Sequence, residues 1–224
     1  MGTTFDSALF SKDWDTDWHM QGGERAALLY LLNLLRPQIS IEIGTFRGGS
    51  LRPICHYSTK TYTFDIDDVQ LRIGAPYPNT KFIMGDTATT LALVIDDISR
   101  GTAELNFVLV DGSHDTPNVR QDINTCLKYV PRSTPCVIFM HDSANPAVRE
   151  GILTADWELC SYAHALDVDF VPGALYNQED IKNQLWGGVA VGLLLPKKRK
   201  GPVDMRANFA YTINAVAHGI GKQI

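Results

Sequence analysis

Residues 39–50 read Ile39-Ser40-Ile41-Glu42-Ile43-Gly44-Thr45-Phe46-Arg47-Gly48-Gly49-Ser50, a β-branched run that enters a glycine-rich turn. Ile39, Ile41 and Ile43 are the residues of a buried strand. Gly44 ends that strand where a side chain would block a tight turn. Gly48 and Gly49 let the backbone pass close to a ligand. Ser50 and the following Leu51-Arg52-Pro53-Ile54-Cys55 then open a helix whose free amides favour anions or polar groups. The spacing Gly-x-x-x-Gly-x-Ser is not Gly-x-Gly-x-x-Gly and lacks the Gly-Lys-Ser/Thr of a phosphate loop, which counts against dinucleotide and nucleoside-triphosphate sites.

Outward from this turn, strands and helices alternate. Upstream, Glu24 to Leu35 is rich in Ala and Leu and stops at Arg36-Pro37, as a helix does. Downstream, Tyr62-Thr63-Phe64 is a second strand ending at Asp65, and Thr80 to Met84 a third. Gly85-Asp86-Thr87-Ala88 caps a helix running to about Ser99. The fourth strand, Leu105 to Val110, ends at Asp111-Gly112-Ser113-His114. Asp115-Thr116-Pro117 starts a helix with Val119, Ile123, Cys126, Leu127 and Val130 on its buried face. The fifth strand, Cys136 to Met140, ends at His141-Asp142-Ser143. A helix from about Asn145 to Trp157, a strand near Leu166 to Val171 and another from Gly188 to Leu195 complete the sheet. This order predicts an α/β, Rossmann-like, seven-stranded and mostly parallel sheet with helices on both faces. One domain is expected over 1–224: an N-terminal arm at 1–21 that is a lid or a packed arm, a core at 22–196, and a basic turn with a C-terminal helix at 197–224. That helix, Val203 to Ala217, lies outside the sheet and suggests a homodimer contact.

The chain has 224 residues, 45% of them apolar, enough for one large core. A net charge of -5 argues against coating nucleic acid, no apolar run is long enough to span a membrane, and Met1 to Asp6 has no leader-like character. A cytoplasmic location is therefore expected. Cys55, Cys126, Cys136 and Cys160 have no Cys-x-x-Cys spacing and read as reduced, buried thiols. The basic run Lys197 to Lys200 reads as solvated surface.

In an open α/β sheet a ligand lies at the carboxyl ends of the strands. Those ends carry Glu42 and Gly44, then Asp65, Asp86, Asp111 with His114, and His141 with Asp142. Asp65 sits about 20 residues beyond the glycine turn, where an acid meets a ribose. If the fourth and fifth strands are neighbours, Asp111 and Asp142 can share one hard divalent cation such as Mg²⁺. His141 reads as a third ligand, an orienting group or a core histidine. His114 overhangs the cation, whose charge disfavours imidazolium and leaves a neutral base.

This pattern resembles the class I S-adenosylmethionine-dependent methyltransferases, and within them the metal-dependent O-methyltransferases that tailor sugars and natural products. The resemblance spans about Glu24 to Leu195. It rests on Glu42-Ile43-Gly44-Thr45-x-x-Gly48-x-Ser50, on Asp111-Gly112-Ser113-His114 with Val119-x-x-Asp122, and on His141-Asp142. It implies that Glu42, Gly44, Thr45, Gly48 and Ser50 surround the methionine part of S-adenosylmethionine. It likewise implies that Asp65 holds the ribose, that Asp86 and Thr87 flank the adenine, and that Asp111 borders the cofactor. Asp111 and Asp142 take the metal positions, and His114 takes the base position. Catechol-type relatives have a lysine where His114 stands and an asparagine where Ser143 stands, so the acceptor implied is a hydroxyl of a sugar or natural product. Its pocket is expected from Phe10 to Met20, Asn145 to Trp157 and Gly173 to Trp186, with Trp157, Tyr176 and Trp186 either stacking on a ring or buried as core. The competing expectations are a non-catalytic nucleoside-binding protein of the same fold and, with less support, a nicotinamide-dependent oxidoreductase.

Overall fold

The structure, a computed structural model, describes residues 18–69, 73, 77–176 and 178–207. The chain runs from α1 (Gly22–Leu35) through β1 (Ile39–Ile43), α2 (Leu51–Tyr57), β2 (Lys60–Asp65) and β3 (Thr80–Met84). It continues with α3 (Thr87–Arg100), β4 (Leu105–Val110), α4 (Thr116–Cys126), β5 (Cys136–His141), α5 (Pro146–Leu153) and β6 (Ala163–Val171). A hairpin of β7 (Ala174–Tyr176) and β8 (Gln184–Trp186) precedes β9 (Val189–Leu194) and β10 (Asp204–Arg206).

The main sheet has the order β10-β6-β9-β5-β4-β1-β2-β3. From β5 to β3 all neighbours are parallel, whereas β9 runs antiparallel to both β5 and β6. Every residue of β1, β4 and β5 is buried, because helices cover both faces of a parallel sheet. On one face Ile41, Val108 and Ile138 pack under α3, α4 and α5; on the other Phe107, Leu109 and Phe139 pack against Leu28, Leu29 and Leu32 of α1. The chain passes from β1 outward to β2 and β3 and then returns to β4 on the other side of β1. That reversal opens a crevice beyond the carboxyl ends of β1 and β4, where such folds bind ligands.

The sheet has eight strands rather than the seven expected, and a separate two-stranded hairpin stands beside it. The extra strand is β10. It occupies the start of the segment whose spacing suggested a helix from Val203. Val203 is buried and its amide donates to Glu158 Oε1 (3.0 Å), while Arg199 is paired with the same carboxylate (3.1 Å), so the backbone is led alongside β6. Asp204 then pairs with Ala165 in parallel register. The remainder of the expected helix, including Phe209, Ile213 and Val216, lies outside the described residues, as does the arm before Trp18. Helix α5 ends at Leu153, short of Trp157, and Trp157 turns inward: its indole N–H donates to the Ile152 carbonyl (2.7 Å) and its ring fills the space above Gly192. Val130 is exposed rather than on the buried face of α4. The four cysteines are free thiols, and no helix among the described residues is long and apolar enough to cross a membrane.

Glu104 ties the start of β4 to the loop before β5. Its carboxylate accepts the amides of Ser133 (3.1 Å) and Thr134 (2.9 Å) and both their hydroxyls. Burial alone raises its pKa, but these donors outweigh burial and bring it down to about 2. A depressed carboxyl pKa stabilises the fold above the unfolded value near 4.5, and the contribution is lost as pH falls toward 2. Urea titrations at stepped pH should therefore show Glu104→Gln less stable than native by about 2–3 kcal/mol at pH 7, with the gap closing between roughly pH 4.5 and 2.

Candidate active site

The glycine turn is held by its neighbours. Gly44 has φ +89°, and a Cβ there would lie 2.1 Å from the Asp111 carbonyl oxygen, so the ends of β1 and β4 touch backbone to backbone. Beyond it, the amides of Thr45 and Phe46 both donate to Asp65 Oδ2 (3.1 and 2.8 Å), and Asp67 N donates to Oδ1 (3.0 Å). Asp65 thus clamps the turn, with Phe46 at φ +48°, while still bordering the cavity. Glu42 is wholly buried and sealed beneath the turn. Ser50 Oγ donates to its Oε1 and Thr63 Oγ1 to its Oε2, both at 2.6 Å. Burial raises the Glu42 pKa to about 8 against the opposing effect of those hydroxyls, with Asp111 and Asp65 adding to the rise.

Acids and imidazoles gather at the ends of β4 and β5. His141 is buried at the last position of β5. Its Nδ1 lies 3.1 Å from Asp111 Oδ1 and 3.4 Å from Asp142 Oδ2, and its Nε2 lies 3.0 Å from Glu24 Oε2. Desolvation lowers the His141 pKa, but the surrounding carboxylates, Asp111 foremost, carry it well above the usual histidine value. Asp142 takes φ +55°, which turns its side chain into the cluster; Oδ1 accepts from Gly187 N (2.7 Å) and Oδ2 faces His114 Nε2 (2.9 Å). Burial favours the neutral acid, yet the two histidines hold Asp142 well below the usual range. The hydrogen bond to Asp142 raises the His114 pKa above the ordinary histidine value, against the opposing effect of burial. The His114 ring meets Trp186 edge to face at 5.3 Å.

These groups open on a cavity of about 880 Å³, within the range of about 300–1,000 Å³ typical of small-molecule sites. Of the residues singled out from sequence, Gly44, Thr45, Ser50, Asp65, Asp86, Thr87, Asp111, His114, His141 and Asp142 line it. Glu42 and Gly48 do not: Glu42 is beneath the turn, and Gly48 (φ +74°) abuts Ile73. Asp86 caps α3 by accepting from Ala88 N (2.8 Å), Thr87 follows it, and Asp122 of α4 lies at the same end of the cavity. Asp122 is buried at this end of the cavity and its pKa is pushed up to about 6. Of the expected acceptor-pocket segments, Trp18, His19 and Met20 line the cavity, as do Tyr176, Ile181 and Trp186 from the β7–β8 hairpin, whereas none of 145–157 does. Trp157 is core; Tyr176 and Trp186 face the cavity.

Glu24 was invisible from sequence as a site residue. It is the third residue of α1 and closes a capping box with Gln21, a signal that explains a helix start and nothing more. Asp111, His141 and Asp142 form, among the described residues, one group whose potential ligand atoms all lie within 4.8 Å of one another. Two carboxylates, one imidazole and a carboxylate behind that imidazole fit a divalent cation. The cavity volume and the glycine turn beside it fit a nucleoside cofactor.

No protein-family profile matches the chain, and no curated protein sequence does. Solved structures do match. A protein described as a hemolysin, from Lactococcus lactis, aligns with a TM-score of 0.56 at 13% identity over 89% of this chain and 98% of its own. A protein described as an O-methyltransferase, from Klebsiella pneumoniae, gives 0.53 at 14% over 87% and 90%. The O-methyltransferase TomG of Streptomyces achromogenes, in complex with S-adenosylmethionine, gives 0.52 at 14% over 87% and 90%. With the strand order and the antiparallel β9, these likenesses show that the chain shares the Rossmann-like α/β fold of these structures, two of them described as O-methyltransferases.

The Glu42 environment has a measurable consequence. A carboxyl whose folded pKa is raised keeps its proton in the fold while the unfolded chain loses it, so stability falls as pH rises from about 4.5 to about 8. The neutral isostere Glu42→Gln should escape this loss. Thermal and urea melts should show it near native at pH 4.5 and more stable by on the order of 3 kcal/mol at pH 8.

Proposed function

We propose that the chain is an S-adenosylmethionine-dependent O-methyltransferase acting, with a divalent cation such as Mg²⁺, on a hydroxyl of a small molecule, a sugar or natural product. The observation that carries this reading is the convergence of Asp111, Asp142 and His114 in one cavity with the Gly44 to Ser50 turn. When bound, the cofactor supplies an electrophilic methyl group and the cation lowers the pKa of a hydroxyl oxygen.

The chain's own residues position the reactants and move the proton. Asp65 fixes the turn that borders one part of the cavity, and Asp86, Thr87 and Asp122 border another. Asp111, Asp142 and His141 are the residues that would hold the cation. His114, partly exposed at the cavity, accepts the proton of the acceptor hydroxyl, and Asp142 stabilises the imidazolium that results. Trp186 and Tyr176 form an aromatic wall on the same side, suited to the apolar face of a ring.

A second reading has one observation in its favour. His141 Nδ1 already faces both Asp111 and Asp142, and an imidazolium there neutralises them without a metal. This favours a cation-independent site of the same fold.

Calorimetry separates the two. S-adenosylhomocysteine should bind, and Mg²⁺ or Mn²⁺ should give a separate isotherm that Asp111→Ala and Asp142→Ala each abolish. Cofactor binding without a cation isotherm establishes the second reading, and absence of cofactor binding overturns both. In a tritium-transfer screen of hydroxylated acceptors, His114→Ala should lower turnover by roughly 10²-fold with cofactor affinity unchanged to within about twofold. Unchanged turnover removes His114 as the base.

A further inference from the structure

Glu24 makes more contacts than a helix cap needs. A capping glutamate satisfies one backbone amide, and Glu24 does so, since Oε2 accepts from Gln21 N (2.6 Å). It is also 1% exposed, and it spends its remaining acceptor capacity on two distant elements. Oε1 accepts from Gly188 N (2.6 Å), between β8 and β9, and Oε2 faces His141 Nε2 (3.0 Å) at the end of β5. The next amide, Gly187 N, donates to Asp142 Oδ1 (2.7 Å). Two consecutive amides at the foot of the hairpin are therefore received by Glu24 and by Asp142. A Cβ at residue 187 would sit 2.6 Å from Glu24 Oε1, so a side chain there would push against this carboxylate.

The carboxylate of Glu24 only accepts, so Nε2 of His141 must be the nitrogen that carries hydrogen toward it. Nδ1 is then the nitrogen presented to Asp111 and Asp142. We infer that Glu24 is a positioning residue for cation binding: by fixing the His141 ring and its Nε2–H, it aims the Nδ1 lone pair at the point shared by Asp111 and Asp142. This rests on the cation-dependent reading above. The arrangement of a carboxylate behind a ligating histidine typically changes metal affinity by about 10- to 100-fold. The same carboxylate seats Gly188, so the aromatic wall carried by the hairpin takes its place from the group that aims the ligand.

Glutamine at this position cannot reproduce the set. Its Oε1 and Nε2 would face, between them, the amides of Gly188 and Gln21 and the His141 ring, so one amide meets a donor. If the new amide nitrogen faces His141, it donates to Nε2 and drives the ring proton to Nδ1, which masks the ligand.

The test is Mn²⁺ binding to the full chain, followed by the electron-paramagnetic-resonance signal of free Mn²⁺, with S-adenosylhomocysteine binding measured in parallel. Glu24→Gln should bind Mn²⁺ about 10- to 100-fold more weakly than native. Gln21→Ala, which removes the side chain that donates to Tyr176 but leaves the backbone amide facing Glu24, should bind within about threefold of native. Native-like affinity in Glu24→Gln, or equal weakening in both variants, overturns the inference. Should Glu24→Gln fail to fold, ¹⁵N spectra of histidine-labelled native protein titrated with Zn²⁺ decide the matter. Coordination at Nδ1 of His141 with Nε2–H retained supports the inference, and coordination at Nε2 overturns it. Native protein that binds S-adenosylhomocysteine but no Mn²⁺ overturns the cation reading itself, and the positioning role with it.

Discussion

The end of β1 lies against the end of β4 so closely that a Cβ on residue 44 would come within 2.1 Å of the Asp111 carbonyl oxygen. That approach brings the glycine turn and the acid cluster into one cavity. The turn leaves β1 under the control of Asp65 from β2, while the acids leave β4 and β5. Each group comes from the carboxyl end of a buried parallel strand, where the reversal of strand order leaves room for a ligand. A side chain at residue 44 would force these two ends apart, and the cavity would lose the geometry that the proposed methyl transfer requires.

The cluster at the strand ends is balanced between burial and charge. Glu24, His141 and Asp142 are all nearly sealed from solvent, and isolated charges there would be costly. They persist because each meets a complementary group: His141 bridges Glu24 to the two aspartates, His114 meets Asp142, and the amides of Gly187 and Gly188 supply the remaining donors. Glu42, one strand away, follows the other course. It has hydroxyl partners but no cation, and its pKa rises accordingly. Buried carboxyl groups on β1 and just after β5, with β4 between these strands, thus end with opposite preferences, set by their neighbours.

Much of this was legible in the sequence, because parallel strands buried on both faces read as continuous apolar runs and because polar residues end each of them. Asp111, His114, His141 and Asp142 stand directly after such runs, and the structure brings them together. What sequence could not supply came from contacts distant along the chain. Glu24 reaches His141 across 117 positions, and its local pattern reports a helix start only. Asp65 sits where a ribose-binding acid is expected, yet its carboxylate also accepts the turn amides, a contact that no local pattern records. Glu42 belongs to the same motif but points beneath the turn, where Ser50 and Thr63 enclose it. At the start of the segment whose spacing suggested a helix from Val203, the Glu158 contact leads Asp204 to Arg206 into a strand beside β6. The hairpin carrying Tyr176 and Trp186 is two strands of three residues each, too short for periodicity to register.

The most direct test of the central claim, one cavity that joins a nucleoside cofactor to a divalent cation, is a crystal structure grown with S-adenosylhomocysteine and Mn²⁺, read by anomalous scattering. A single manganese peak is expected at coordination distance from Asp111, His141 Nδ1 and Asp142, with the nucleoside lying against the Gly44 to Ser50 turn in the same cavity. Manganese elsewhere, or a nucleoside outside that cavity, would contradict it.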